Sequence, residues 1–131
     1  MLFRSARLSG PLRDRIDLTV PVAALSAREL QDAPQGEPSA AIRERIVAAR
    51  TRQMTRDGAL NSRLQGKKLR ERVSFDDDGK RMIARAIAKL ALSARGYDRV
   101  LRVARTIADL DAADRVGAEH VAEALQFRGD S

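Results

Sequence analysis

Along Ile16-Asp17-Leu18-Thr19-Val20-Pro21-Val22, apolar residues fall at every second position. Period two marks a strand with one buried face, and Pro21 sets its end at an edge or exit. No second segment repeats the pattern. A lone strand leaves its own N–H and C=O groups unpaired, so this segment must pack irregularly or join a sheet supplied by other sequence. From residue 39 the period lengthens to that of a helix. Ser39 opens a long helix ending near Gly58, with Ile42, Ile46, Val47 and Met54 on its apolar side. A helix from about Asp76 to Ala91 is expected to bury Ile83, Ile87 and Leu90, with Met82 and Ala86 alongside. Ser93 to Leu110 reads as one helix with a stripe at Tyr97, Val100, Leu101, Ala104, Ile107 and Ala108. After a turn at Asp111–Gly117, Ala118 to Phe127 forms a last helix around Val121, Leu125 and Phe127.

Polar residues punctuate this pattern. Ser26 with Glu29 three residues on makes a capping box for a short helix through Leu30. Asp32 to Pro38 is a loop, and Ser9-Gly10-Pro11 is a breaker. Asp76, Asp77 and Asp78 favour a helix N-terminus through the dipole. Leu64 and Leu69 suggest a short helix interrupted at Gly66. The expected fold class is all-α: a small helical bundle with an extended N-terminal arm.

With 131 residues the chain fits one compact domain. No run approaches the roughly 18 apolar residues of a membrane span, and the basic start lacks the apolar core of a signal peptide. The lack of cysteine removes disulfides and thiolate zinc sites, and it fits a reducing compartment, with the cytoplasm as the expected location. Aromatics are 3% of residues, which argues against stacking platforms for single-stranded bases. The charge is uneven. Residues 1–75 hold 15 Lys and Arg against 8 Asp and Glu, and so the whole excess of +7, whereas residues 76–131 balance at 10 against 10. A polyanion or acidic partner is expected at the first part.

Arginines crowd the helix after Ser93, at Arg95, Arg99, Arg102 and Arg105. An arginine at the mouth of a helix suits an anion such as phosphate. Arg95 holds that position, and the other three are expected to face solvent or a neighbouring subunit. Arg45, Arg52 and Arg56 share one face of the long helix, and Lys67 and Lys68 follow, with Arg70 and Arg72 close behind. These residues are candidates for DNA-backbone contact, where phosphate neutralisation needs no base readout. The competing reading is a solvated helix face. His120 beside Glu119 is expected to serve as a cap or surface residue, and no metal site is expected.

Two motifs carry a family resemblance. Arg7-Leu8-Ser9-Gly10-Pro11-Leu12-Arg13-Asp14-Arg15-Ile16-Asp17-Leu18 resembles the segment that closes the ATPase core in magnesium-chelatase-like AAA+ proteins. Leu92-Ser93-Ala94-Arg95 through Arg105-Thr106-Ile107-Ala108-Asp109-Leu110 resembles a helix of their C-terminal lid. Val116-Gly117-Ala118-Glu119-His120-Val121-Ala122-Glu123-Ala124-Leu125 is similar to the lid's closing helix. Among these proteins the competence-associated branch, the ComM or YifB type, is the best match.

The resemblance implies the C-terminal part of a hexameric ATPase. Residues 1–24 would end the ATPase core, with the arginine-finger loop and last strand, and residues 25–131 would form the helical lid. Arg15 matches an arginine finger acting in trans on a neighbour's nucleotide, and Arg95 matches the sensor-2 arginine. The implied cofactor is ATP with Mg²⁺, held mainly by the core. The implied partners are the rest of that core, further subunits of a hexamer, and DNA remodelled by branch migration; no membrane is implied. No G-x-x-x-x-G-K-S/T occurs here, so these residues alone are not expected to hydrolyse ATP. Arg13 departs from a usual leucine. Gly96 costs its helix turn about 1 kcal/mol relative to Ala, and Asp98 sets a carboxylate one turn from Arg95. A nucleotide-independent helical DNA-binding module is the alternative; a chelatase-type metal-insertion motor is a weaker one.

Overall fold

The computed structural model describes residues 9–129 apart from 14, 33 and 35. The basic residues before Ser9, the Arg7-Leu8 start of the first motif, and Asp14 lie outside the described residues. Among the described residues seven helices follow one another: α1 (Gly10–Arg13), α2 (Ala27–Asp32), α3 (Ser39–Asp57), α4 (Gly66–Arg72), α5 (Asp77–Leu90), α6 (Ala94–Leu110) and α7 (Ala118–Gln126). A 3₁₀ turn, Asn61–Arg63, links α3 to α4. Among the described residues no strand forms. The fold is all-α, as the periodicity predicts.

The alternating segment after Arg15 runs as an irregular arm over the bundle. Its backbone bond to the bundle is Thr19 N–H to the Phe127 carbonyl at 2.9 Å. Ile16, Leu18, Val20 and Val22 are all exposed. The period-two pattern therefore describes a face that this chain leaves uncovered.

Three helix starts, those of α2, α5 and α6, follow from side-chain caps. Ser26 and Glu29 form the expected box, with Glu29 N–H to Ser26 Oγ at 3.1 Å and Ser26 N–H to Glu29 Oε2 at 2.8 Å. Asp76 accepts from Gly79 N–H at 2.7 Å, and Ser93 accepts from Gly96 N–H at 3.0 Å. Such caps satisfy amides that have no partner within the helix. Gly58, at φ 68°, ends α3 and donates to Met54 O. α6 ends instead on Ala112 at φ 58°, with Ala113 N–H reaching back to Ala108 O at 2.8 Å. That left-handed closure normally takes glycine.

α6 is the hub. It packs against α7, α3, α4 and the 3₁₀ turn, and α7 bridges to α5. The core joins Leu64, Leu69, Val73, Ile83, Val100, Leu101, Ala104, Ala108, Val116 and Val121. Phe75 and Val116 add one parallel bridge beside the start of α5.

Two expectations about burial are corrected. On α3, Ile42, Ile46, Val47 and Met54 are exposed, and the buried residues are Ala49 and Gln53. Ile42 and Ile46 continue the line of Ala49 and Gln53 toward the N-terminus, where α3 overhangs the bundle. On α5, Ile83 and Ala86 are buried, but Ile87 and Leu90 lie at an exposed edge.

Candidate functional site

The arginines of α6 divide into three kinds. Arg95 is exposed in the first turn. Arg99 and Arg102 reach to the N-terminal arm. Arg105 is only 2% exposed, which corrects the expectation that it faces solvent or another subunit.

Arg105 belongs to an internal network. Its Nε donates to Asp109 Oδ1 at 3.2 Å, Nη1 to Asp114 O at 2.9 Å and Nη2 to Ala113 O at 2.6 Å. It thereby ties α6 to the loop that leads into α7. Arg56 enters from α3, with Nη1 to Asp109 Oδ1 at 2.7 Å, Nη2 to Asn61 Oδ1 at 3.0 Å and Nε to Asp57 Oδ2 at 2.9 Å. Asn61 completes the set through Nδ2 to Asp109 Oδ2 at 2.9 Å, while its backbone N–H donates to Gln53 Oε1. Burial works against the charge of Arg56, but its bonds to Asp109 and Asp57 prevail and raise its pKa. For Arg105 burial prevails over Asp109, and its pKa is lowered. A groove of about 340 Å³ opens beside the network, lined by Thr51, Arg52, Thr55, Arg56, Arg105, Asp109, Ala113 and Asp114. The donors of Arg56 and Arg105 are committed to internal partners, so both arginines serve folding.

The remaining basic candidates sit on the surface. Arg45 and Arg52 are exposed on α3, and Lys67 and Lys68 are exposed on α4. Arg45 is paired with Glu37, with Nη2 to Oε2 at 2.9 Å, and that hydrogen bond lowers the Glu37 pKa. Lys67 lies 3.7 Å from Glu71. Arg56 shares a helical face with Arg45 and Arg52 but turns its guanidinium inward.

Arg15 is exposed, and its side chain has no hydrogen bond or ion pair among the described residues. Asp17, two residues along, is taken by Arg102, with bonds of 3.0 and 2.9 Å. Asp98 accepts from Arg70 Nε at 3.0 Å, and Arg70 lies over the Tyr97 ring at 5.6 Å. The carboxylate one turn from Arg95 is therefore engaged by α4.

Asp111, Glu119 and His120 bring one ligand atom each within 4.8 Å. His120 Nδ1, however, accepts from Gly117 N–H at 2.9 Å. A neutral imidazole has one lone pair, so the proton sits on Nε2, which faces Asp111 Oδ2 at 3.0 Å. His120 thus caps the start of α7 through Gly117 N–H, and it does so as a buried residue rather than a surface one.

The helical bundle, with an N-terminal arm fastened to its hub helix, is of the magnesium-chelatase C-terminal kind. A family model described as magnesium chelatase, subunit ChlI C-terminal, matches residues 36–128, and the chain belongs to that family. Among curated relatives, it is 41% identical over 123 residues to the competence protein ComM of Haemophilus influenzae. It is 39% identical over 123 residues to the uncharacterized protein YifB of Salmonella typhimurium, and 36% identical over 123 residues to YifB of Escherichia coli. Each alignment covers 93% of this chain and 24% of the relative, so the chain spans about a quarter of their length.

Proposed function

We propose that this chain acts as the C-terminal part of a hexameric ATPase of the magnesium-chelatase type, working on DNA in the cytoplasm. Residues 1–24 end the nucleotide-binding core and residues 25–131 form the lid. Mg²⁺–ATP, held mainly by the core, supplies the phosphoryl group to be transferred. The residues present suit the rim of such a site: exposed Arg15 on the arm, and exposed Arg95 in the first turn of α6. Arg15 stabilises charge that develops on the phosphoryl group in the neighbouring subunit's site. Arg95 contacts phosphate as sensor 2. Both tasks favour arginine, whose planar fork stays charged and binds two oxygens at once. DNA remodelling, as branch migration in recombination or transformation, is the work the ATPase drives. One relative is named as a competence protein, which supports this reading.

The observation that carries the proposal is Arg15 itself. It is an exposed guanidinium on a tethered turn, uncommitted among the described residues while the neighbouring Asp17 is occupied. The test is steady-state ATP hydrolysis by the polypeptide that carries the nucleotide-binding core. Arg15→Ala is expected to leave ATP affinity within about twofold and to lower kcat by roughly 10³-fold. Unchanged hydrolysis rules the role out.

A further inference from the structure

The turn that carries Arg15 is fastened to α6 by two arginines. Arg99 Nη1 donates to Arg13 O and to Ile16 O, each at 3.2 Å, so the two carbonyls it holds bracket Arg15. Arg102 makes a two-point pair with Asp17, one residue further along. Arg102 Nη1 also reaches Leu64 O at 3.4 Å, which sets the pair against the bundle. Arg95, Arg99 and Arg102 follow one another at i, i+4 and i+7, so they lie on one stripe of the helix. The candidate sensor is thus at the mouth of α6, and the turn bearing the candidate finger is tied down one and two turns below it.

Burial does not hold this arm. Ile16, Leu18, Val20 and Val22 are 39 to 79% exposed, whereas the Arg102 side chain is only 16% exposed. A partly buried, two-point, charge-assisted pair is stronger than an open surface pair. Among the described contacts, Arg99, Arg102 and the bond from Thr19 to Phe127 hold the Arg15 turn to the bundle.

We propose that Arg99 and Arg102 are positioning residues that lock the Arg15 turn onto the helix bearing Arg95, so that the two guanidiniums approach phosphate as one unit. The proposal rests on the reading of Arg15 as a finger. It adds that this finger moves with the lid helix.

Hydrogen exchange at the Thr19 amide of the 131-residue protein tests the lock. Arg102→Met and Asp17→Asn are each expected to speed that exchange about tenfold, as loss of a charge-assisted bond requires. The Tm of the bundle should hardly move for Asp17→Asn, because Asp17 lies on the arm. In the core-bearing polypeptide, Asp17→Asn and Arg99→Met are expected to lower kcat for ATP at least tenfold with KM within twofold. The reversed pair Asp17→Arg with Arg102→Asp is expected to recover exchange protection and kcat together. Wild-type exchange in Asp17→Asn and in the Arg99→Met/Arg102→Met double variant overturns the lock. Faster exchange with wild-type kcat overturns the positioning role. Arg15→Ala, measured alongside, separates the two readings. If that variant turns over normally, the finger fails and positioning fails with it, while the exchange result still reports the tether.

Discussion

Asp109 faces two guanidiniums, Arg56 from α3 and Arg105 from its own helix, and its side chain is 1% exposed. There the carboxylate is what makes one buried and one half-buried cation tolerable. Asp109→Asn keeps the shape and removes the charge. It should cost about 3–5 kcal/mol, the range for breaking a buried pair by losing one partner. Urea unfolding followed by far-UV circular dichroism checks this. A loss below about 1 kcal/mol would mean that the network fixes the register of α3 on α6 without stabilising the fold. Part of this network is legible in the sequence, since Arg105 and Asp109 stand four apart on one helix. The rest is not. Arg56 lies 53 residues from Asp109, and Asn61 lies 48 residues from it. In a sequence pattern an arginine committed to an internal carboxylate looks the same as a free one, so Arg56 falls among the DNA candidates and Arg105 among the solvent-facing ones.

α5 starts in a tight place. A Cβ on Gly79 would lie 2.2 Å from Val116 O, a backbone atom already bound by Asp76 N–H at 3.1 Å. Gly79→Ala therefore sets two effects against each other. Alanine favours the helix by about 1 kcal/mol, but the forced shift of backbone costs about 1–3 kcal/mol or more. The clash should win because Val116 is pinned on both sides, with its N–H bonded to Ser74 O at 2.9 Å. A lower Tm is the expected result, measured by thermal melting; a raised Tm would show that the loop before α7 yields. Three helix starts are legible because Ser26, Asp76 and Ser93 cap their helices as the residue types predict. The end of α6 is not, because Ala112 occupies a conformation that favours glycine. The burial of α3 escapes the pattern for a different reason. Its apolar line is genuine, but Ile42 and Ile46 lie beyond the end of the surface that covers Ala49 and Gln53.

Across the whole molecule, unburied apolar groups and unbalanced charge occur in the same part of the chain. The arm and the overhanging half of α3 hold most of the exposed large apolar side chains, and residues 1–75 hold all of the excess positive charge. The balanced second part supplies most of the core. This division suits a bundle that stands on its own packing while its first part faces larger partners, with apolar surface for protein and basic surface for a polyanion. The structure narrows the basic surface. Arg56 is committed inside, and Arg45 must leave Glu37 before it can meet a phosphate. Arg52, Lys67 and Lys68 are exposed without so close a tie. If these residues neutralise DNA phosphates, changing Arg45, Arg52, Lys67 and Lys68 to Glu should weaken binding and flatten its salt dependence. The log–log slope should fall by about 0.9 for each phosphate left without its cation. Arg52 should account for more of that change than Arg45, since Arg45, unlike Arg52, is held by Glu37. Fluorescence anisotropy with labelled duplex across a salt series reads the slope directly. A wild-type slope in the fourfold variant would remove the patch, and a full loss from Arg45→Glu alone would contradict the competition with Glu37.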